Sequence, residues 1–405
     1  MAMTAGVGIS KNRDSREAGA EACQRALDRA GGRADMLIAF ASSHFDQNAL
    51  VDGINSAGGG APLVGCSDAG EITNEGPATE SVAVMAIQAD SARFYPSVGP
   101  NVSGGARLAG QVAARAAAEA AKEKGDTLRA FVMFPDVLTG NGADAVRGVL
   151  DALGEHFPVV GGAPGDNFLF EKTYEYINGE VVSGAVGGLG LAGNFAIGVG
   201  VRHGWIPIGI PMTVTKADGA VLKEINGKPA ITIYEEYFGE KAEELRSEPL
   251  ARMAITYPLG LKIPEYEDEY LIRDPISVDA AGAITCAAEI PVGSEIRLMI
   301  GSKEKAVAAA EDAAHKMMND FAAVGSRPAC LLMFNCIARE KLFAQDAQDE
   351  IDAVMKIVGR HVPLLGFYTY GEQAPLGGEV HNLEKCNPRF YNETIVLFGI
   401  GEPGA

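Results

Sequence analysis

Ser67 stands in the stretch PLVGCSDAGEI, residues 62–72, between glycines and after a short apolar run, the setting of a hydrolase nucleophile. The nucleophile elbow requires Gly-x-Ser-x-Gly, so that a strained turn lifts the hydroxyl above the sheet. Here the spacing is Gly-x-Ser-x-x-Gly, one residue longer, and no histidine pairs with Ser67 by position, so acyl transfer lacks its base. Carboxylates and cations make better candidates. Glu71 follows Gly70, Glu372 follows Gly371, and Asp166 and Asn167 follow Gly165. On turns that glycine permits, such groups can accept hydrogen bonds from a ligand ammonium or from ordered backbone amides. The same carboxylates can instead cap helices or brace contacts between segments. Arg273, in LIRDP, and Arg339, in CIARE, are guanidiniums that could hold a ligand carboxylate in a bidentate pair, or pair with one of the chain's many acids. Cys336, near Arg339, would gain thiolate character from that cation, which is the basis for reading the chain as a thiol-dependent enzyme.

Other patterns resolve into structure rather than chemistry. Gly188 to Gly193 reads GLGLAG and satisfies the dinucleotide fingerprint, but that motif must open a helix, and NFAIGVGVRHGWIP follows with β-type residues and a proline. The six histidines, His44, His156, His203, His315, His361 and His381, show no HxxxH, HExxH or CxxCH spacing, so neither a zinc site nor covalent haem is indicated. His203, two residues before Trp205, could line a pocket or be a satisfied structural histidine.

The elements that must carry these residues come in three copies. MLIAF, AFVMF and CLLMF are apolar strands ending at Phe40, Phe134 and Phe334. Each follows a helical stretch and precedes a second helix. Val146, Val149, Leu150 and Leu153 in one copy, and Ile351, Val354, Met355 and Val358 in another, keep the spacing of one helix face. Each second helix leads to a Pro-x-x-Gly strand, PLVG, PVVG or PLLG, and a further apolar strand closes the unit. Ser67, Ala163 and Tyr368 hold equivalent places. Strand, crossover helix, strand implies parallel pairing. The predicted fold is therefore α/β, with repeated helix-strand-helix-strand units forming mixed sheets and a β-rich insert between the second and third units. Within the insert, MTVTKADGAVLKEING predicts a hairpin about an Asp-Gly turn. The domain boundary is placed at residue 205, giving domains 1–205 and 206–405. In such sheets ligands bind beyond the carboxyl ends of the strands, where Ser67, Glu71, Asp166, Tyr368 and Glu372 all fall.

Bulk properties narrow the function. The 405 residues carry 34 basic and 53 acidic side chains, a net charge of -19, which opposes binding to phosphate backbones or anionic membranes. The six cysteines show no regular spacing, as in reduced cytoplasmic proteins. The N-terminal stretch lacks the signature of a secretory signal. The apolar run 184–201 contains so many glycines that two buried strands are expected there rather than a membrane helix.

PLVGCSDAGEI, GGAPGDNFLFEKTYEYINGEVV, GWIPIGIPMTVTKADG, INGKPAITIYEEYFG, YLIRDPISVD, IPVGSEIRLM and PLLGFYTYGEQAP, in this order, resemble the FIST family over nearly the whole chain. The resemblance implies a sensory module of signal transduction that binds a small ligand, an amino acid or related carboxylate. It implies as an alternative a haem-binding nitric oxide sensor, for which His203 would be the axial ligand. Gly161, Asp166, Asn167, Pro258, Arg273, Cys336, Arg339, Phe367, Tyr368, Gly371 and Glu372 match the family pattern. The chain departs at Tyr391, Asn392, Glu393 and Thr394, where a His-Asn-Thr-like stretch is expected. No kinase, cyclase or methyl-accepting segment is recognised, so the expected partners are a small ligand, a separate output protein such as a histidine kinase or cyclic-nucleotide enzyme, and a second copy in a homodimer. No nucleic acid, membrane or obligatory cofactor is expected.

Overall fold

The glycine of each Pro-x-x-Gly motif is required by strand packing. Gly65 pairs with Ala39, Gly161 with Met133 and Gly366 with Met333 on a parallel neighbour. A Cβ at these glycines would lie 1.8, 2.0 and 2.3 Å from the partner's carbonyl oxygen. Only a residue without a side chain fits so close an approach. The structure is a computed structural model and describes residues 3–247, 252–264 and 269–403.

The first unit runs β1 (Met3–Ser10), α1 (Ser15–Ala30), β2 (Met36–Ser42), α2 (Gln47–Ala57), β3 (Leu63–Asp68), a hairpin of β4 (Glu71–Thr73) and β5 (Gly76–Ala78), and β6 (Val82–Ala89). The second runs β7 (Ala92–Gly99), α3 (Ala106–Glu123), β8 (Leu128–Pro135), α4 (Gly142–Leu153), β9 (Val159–Gly162), a hairpin of β10 (Glu175–Ile177) and β11 (Glu180–Val182), and β12 (Val186–Gly193). Strand β13 (Ala196–Arg202) then opens a third unit, and the insert follows it.

The insert holds β14 (Ile206–Asp218), β15 (Val221–Ile225), β16 (Lys228–Pro229), α5 (Thr232–Phe238), α6 (Glu244–Ser247), α7 (Arg252–Thr256), β17 (Leu259–Lys262), β18 (Tyr270–Arg273), β19 (Pro275–Val278), β20 (Ile284–Cys286) and β21 (Glu295–Ile300). The chain returns to the third unit with α8 (Lys303–Ala323), β22 (Pro328–Cys336), α9 (Ile337–Phe343), α10 (Ala347–Val358), β23 (Leu364–Thr369), β24 (Glu372–Pro375), β25 (Pro388–Tyr391) and β26 (Ile395–Gly401). The fold is thus α/β with mixed sheets, and residues 184–201 form most of β12 and β13. No described helix is long and apolar enough to cross a membrane.

Three six-stranded sheets share one connectivity. They run β1-β6-β2-β3-β10-β11, β7-β12-β8-β9-β24-β25 and β13-β26-β22-β23-β4-β5. In each, four strands of one unit appear in the order first, last, second, third, and the outer two are a hairpin supplied by another unit. Each hairpin exchange closes the cycle, so no unit completes its own sheet. Helices α1 and α2, α3 and α4, and α8 and α10 pack pairwise, and α1 and α2 share a core with the Leu37, Ala39 and Val84 side of the first sheet. The opposite sides of all three sheets meet in one core. At its centre Phe40, Phe134, Phe334 and Phe367 pack edge-to-face or tilted, with ring centroids 4.3 to 6.4 Å apart. The predicted strand-end phenylalanines therefore bury large apolar areas where the sheets converge. The insert has a core of its own around Val214, Tyr234, Ile284 and Leu298.

Candidate functional site

Three buried glutamates start the exchanged hairpins. Glu71, Glu175 and Glu372 each pair across the sheet with the residue after a motif glycine: Phe367, Cys66 and Gly162. Glu71 accepts from the Ser42 amide at 3.0 Å and from the Ser81 hydroxyl. Glu372 accepts from the Thr394 amide at 3.1 Å and hydroxyl at 2.6 Å, and from Thr369. The Ala185 amide faces Glu175. Glu71 and Glu372 thus brace a donated hairpin against the start of another sheet's strand, whereas the buried Glu175 oxygens make no hydrogen bond among the described residues. Burial pushes Glu372 up to about 8 against the lowering effect of its hydrogen bonds. Burial and the nearby Asp68 push Glu71 well up, and burial with Asp136 does the same to Glu175. Burial therefore favours the protonated form of all three.

The sequence reading set Asp166 and Asn167 as the second unit's counterparts of Glu71 and Glu372. The structure assigns that place to Glu175, because residues 163–174 form an extra loop before β10. Asp166 organises this loop. Its oxygens accept from the amides of Phe170 at 2.9 Å, Glu171 at 2.6 Å and Lys172 at 2.9 Å, and from the Tyr370 hydroxyl. Asn167 donates to the Ser42 hydroxyl at 2.7 Å. Ser67 donates to the Gly165 carbonyl at 2.7 Å and accepts from the Tyr174 amide at 3.0 Å. Its hydroxyl is fully used in fastening the loop.

Arg339, fully buried on α9, spends all five N–H donors inside the protein. Nε and Nη2 bond to Glu350, Nη2 also to the Ala306 carbonyl at 2.9 Å, and Nη1 to the carbonyls of His203 and Glu393. Cys336 sits at the end of β22, and the sequence reading gave it a cation-favoured thiolate. Burial, followed by Glu372 and Asp274, instead pushes its thiol well above the ordinary value, so the protonated form prevails. Tyr368 is buried beside them, its hydroxyl pushed well up by burial. His203 accepts from the Trp205 amide on Nδ1 at 3.0 Å. Its pKa is depressed to about 4, by burial and then by Arg339. The neutral ring therefore carries its proton on Nε2, and neither nitrogen offers a free lone pair; the residues at His203 do not fit an axial haem ligand.

The departure at residues 391–394 proves to be part of the same interior. Glu393 adopts a positive φ of 56°, as do Glu80 at 52° and Gly184 at 69° in the equivalent turns. Its carboxyl meets Asp274 from the insert, with burial raising Glu393 well up and Asp274 to about 6. Burial and their mutual repulsion thus favour the protonated form of Glu393.

Arg273 differs from Arg339. It lies at the end of β18 with 2% of its surface exposed. Nε donates to the Glu289 carbonyl at 2.9 Å and Nη1 to the Ile272 carbonyl at 2.8 Å, with Phe390 O at 3.5 Å. Among the described residues, Nη2 meets no acceptor, and no carboxylate forms an ion pair with it. Burial depresses its pKa to about 10, so it remains charged. It lines a cavity of about 630 Å³ with Arg147 from α4, Lys262 from β17, Arg389 and Phe390 from β25, and Glu289 and Glu295. Four basic and two acidic side chains thus surround an open volume on a chain of net charge -19. Arg147 is paired with Asp144 and Glu289, and Glu295 lies 3.6 Å from Arg297, so among the described residues Arg273, Lys262 and Arg389 are the cations placed to hold a small anion. Of the residues singled out from sequence, only Arg273 reaches this cavity; the others lie in the braces, the loop or the Arg339 network. Arg147, Lys262, Arg389 and Glu289 carried no sequence signal, since unrelated segments bring them together.

Residues 35–228 match the FIST N domain and residues 230–375 the FIST C domain. An uncharacterised protein of Mycobacterium tuberculosis is 28% identical over 94% of this chain and 96% of its own length. A second, from Mycobacterium bovis, is 25% identical over 93% and 95%. A crystal structure of a chorismatase aligns over 99% of both chains at 10% identity, but with a TM-score of only 0.37. The two domain matches together span most of the molecule: the chain belongs to the FIST family, whose domains are sensory domains of signal-transduction proteins.

Proposed function

We propose that this protein senses a small carboxylate-bearing ligand, with an amino acid the best fit, in the cavity beside Arg273. The observation that carries the reading is a buried, charged guanidinium whose Nη2 has no acceptor among the described residues and which faces an open volume. Glu289 and Asp274 lie near enough to favour its charge, but neither carboxylate is hydrogen-bonded to it, and a ligand carboxylate can supply a direct partner for Nη2. Arg389 and Lys262 add to the anionic preference, while Glu295, 3.6 Å from Arg297, suits the ammonium of an amino acid better than Glu289, which Arg147 and Asn141 already engage. Arg339 and Asp166, whose hydrogen-bonding capacity is taken up internally, position the surrounding structure. The signal passes to a separate output protein in the cytoplasm. The test is a thermal-shift screen of amino acids, small dicarboxylates and their amides, since a ligand of the native state raises the melting temperature. An acid should stabilise the protein while its amide does not, and Arg273→Gln should abolish the shift. Equal shifts for acid and amide would refute this reading.

A further inference from the structure

We propose a second ligand site, separate from the Arg273 cavity, that takes an apolar-tailed carboxylate at the junction of the second and third units. A cavity of about 780 Å³ opens there, bounded by the start of β8, the end of α4, the β12–β13 turn and the segment after β24. That volume is in the range of pockets that enclose drug-sized ligands.

Its floor is apolar: Leu128, Phe195 and Val380 are buried beneath it, and Leu153 is half-buried. At the rim Leu383 is 54% exposed, an apolar surface that an aliphatic chain would cover.

One cation stands over this floor. Arg129 places its guanidinium 4.9 Å from the Phe195 ring centroid. Nη1 donates to the carbonyls of Gly193 and Phe195 at 3.1 and 3.0 Å, which fixes the group in place. Nε and Nη2 have no acceptor among the described residues, and they present the forked donor pair that suits a carboxylate. His156 and His381 also line the cavity, and Glu155 is the one acid among its lining residues. Apolar floor and positive edge together select an amphipathic anion over a neutral lipid or a free amino acid.

Isothermal titration of the full chain with decanoate, hexanoate and decanol tests the proposal. Decanoate should bind one to one, at least about tenfold tighter than hexanoate, because each buried methylene adds affinity. It should also bind at least about tenfold tighter than decanol. Arg129→Gln should erase the preference for decanoate over decanol, Leu153→Trp should block both, and Arg273→Gln should leave decanoate binding intact. Absence of decanoate binding, or equal affinity for decanoate and decanol in the unaltered protein, would overturn the site without recourse to any variant. Loss of decanoate binding in Arg273→Gln with its retention in Arg129→Gln would place the acid in the other cavity and equally overturn it.

Discussion

Arg339 and Arg273 are both buried guanidiniums near strand ends, yet their surroundings give them different work. Arg339 is matched by Glu350 and three carbonyls. Removing it strands a buried carboxylate, so Arg339→Leu should lower stability by about 3–5 kcal/mol in urea unfolding. The buried carboxyls make a second residue-level prediction. Glu372 and Asp68 are both raised to about 8 by burial. A raised folded pKa means that stability is complete below the unfolded pKa and is lost as pH climbs through the folded one. Stability should therefore fall between about pH 4.5 and pH 8, and Glu372→Gln should flatten that slope in a pH series of denaturation curves. Neither environment was readable from sequence, because an arginine's partners depend on which distant carbonyls and acids the fold delivers to it.

The elements were more legible than the links between them. Strand-end phenylalanines, amphipathic helices and Pro-x-x-Gly strands carry local periodicities, and the structure holds α4 and α10 where those patterns fall. The hairpin exchange left no such trace, since β10 beside β3 and β4 beside β23 are non-local pairings. The extra loop 163–174 misled the reading for the same reason: Gly165-Asp166 imitates Gly70-Glu71, while the true counterpart, Glu175, lies nine residues further on in sequence. The loop hangs on Asp166, so Asp166→Ala should leave three amides and the Tyr370 hydroxyl without their acceptor. Proteolysis within 163–174 should then accelerate by about tenfold or more, as a loss of about 1–3 kcal/mol of local stability implies, with little change in the global transition.

At the scale of the molecule, three sheets that each borrow a hairpin cannot come apart singly. Phe367 sits among Phe40, Phe134 and Phe334 at their convergence, and Phe367→Ala should cost about 3–5 kcal/mol. The loss should appear as one shifted transition rather than two, measured by calorimetry, because the sheets share that core. The interlocked frame also explains how a site at its flank can be rigid: α4, β17, β18 and β25 converge on the Arg273 cavity from the second unit, the insert and the third unit. The central claim is that Arg273 holds a ligand carboxylate there. It is tested most directly by isothermal titration of the strongest amino-acid ligand and its amide against the unaltered protein and Arg273→Gln. The account predicts an acid-over-amide preference of at least about tenfold, the worth of one charge-assisted pair, which disappears in the variant. Acid and amide binding with equal affinity, or a preference untouched in folded Arg273→Gln, would contradict it.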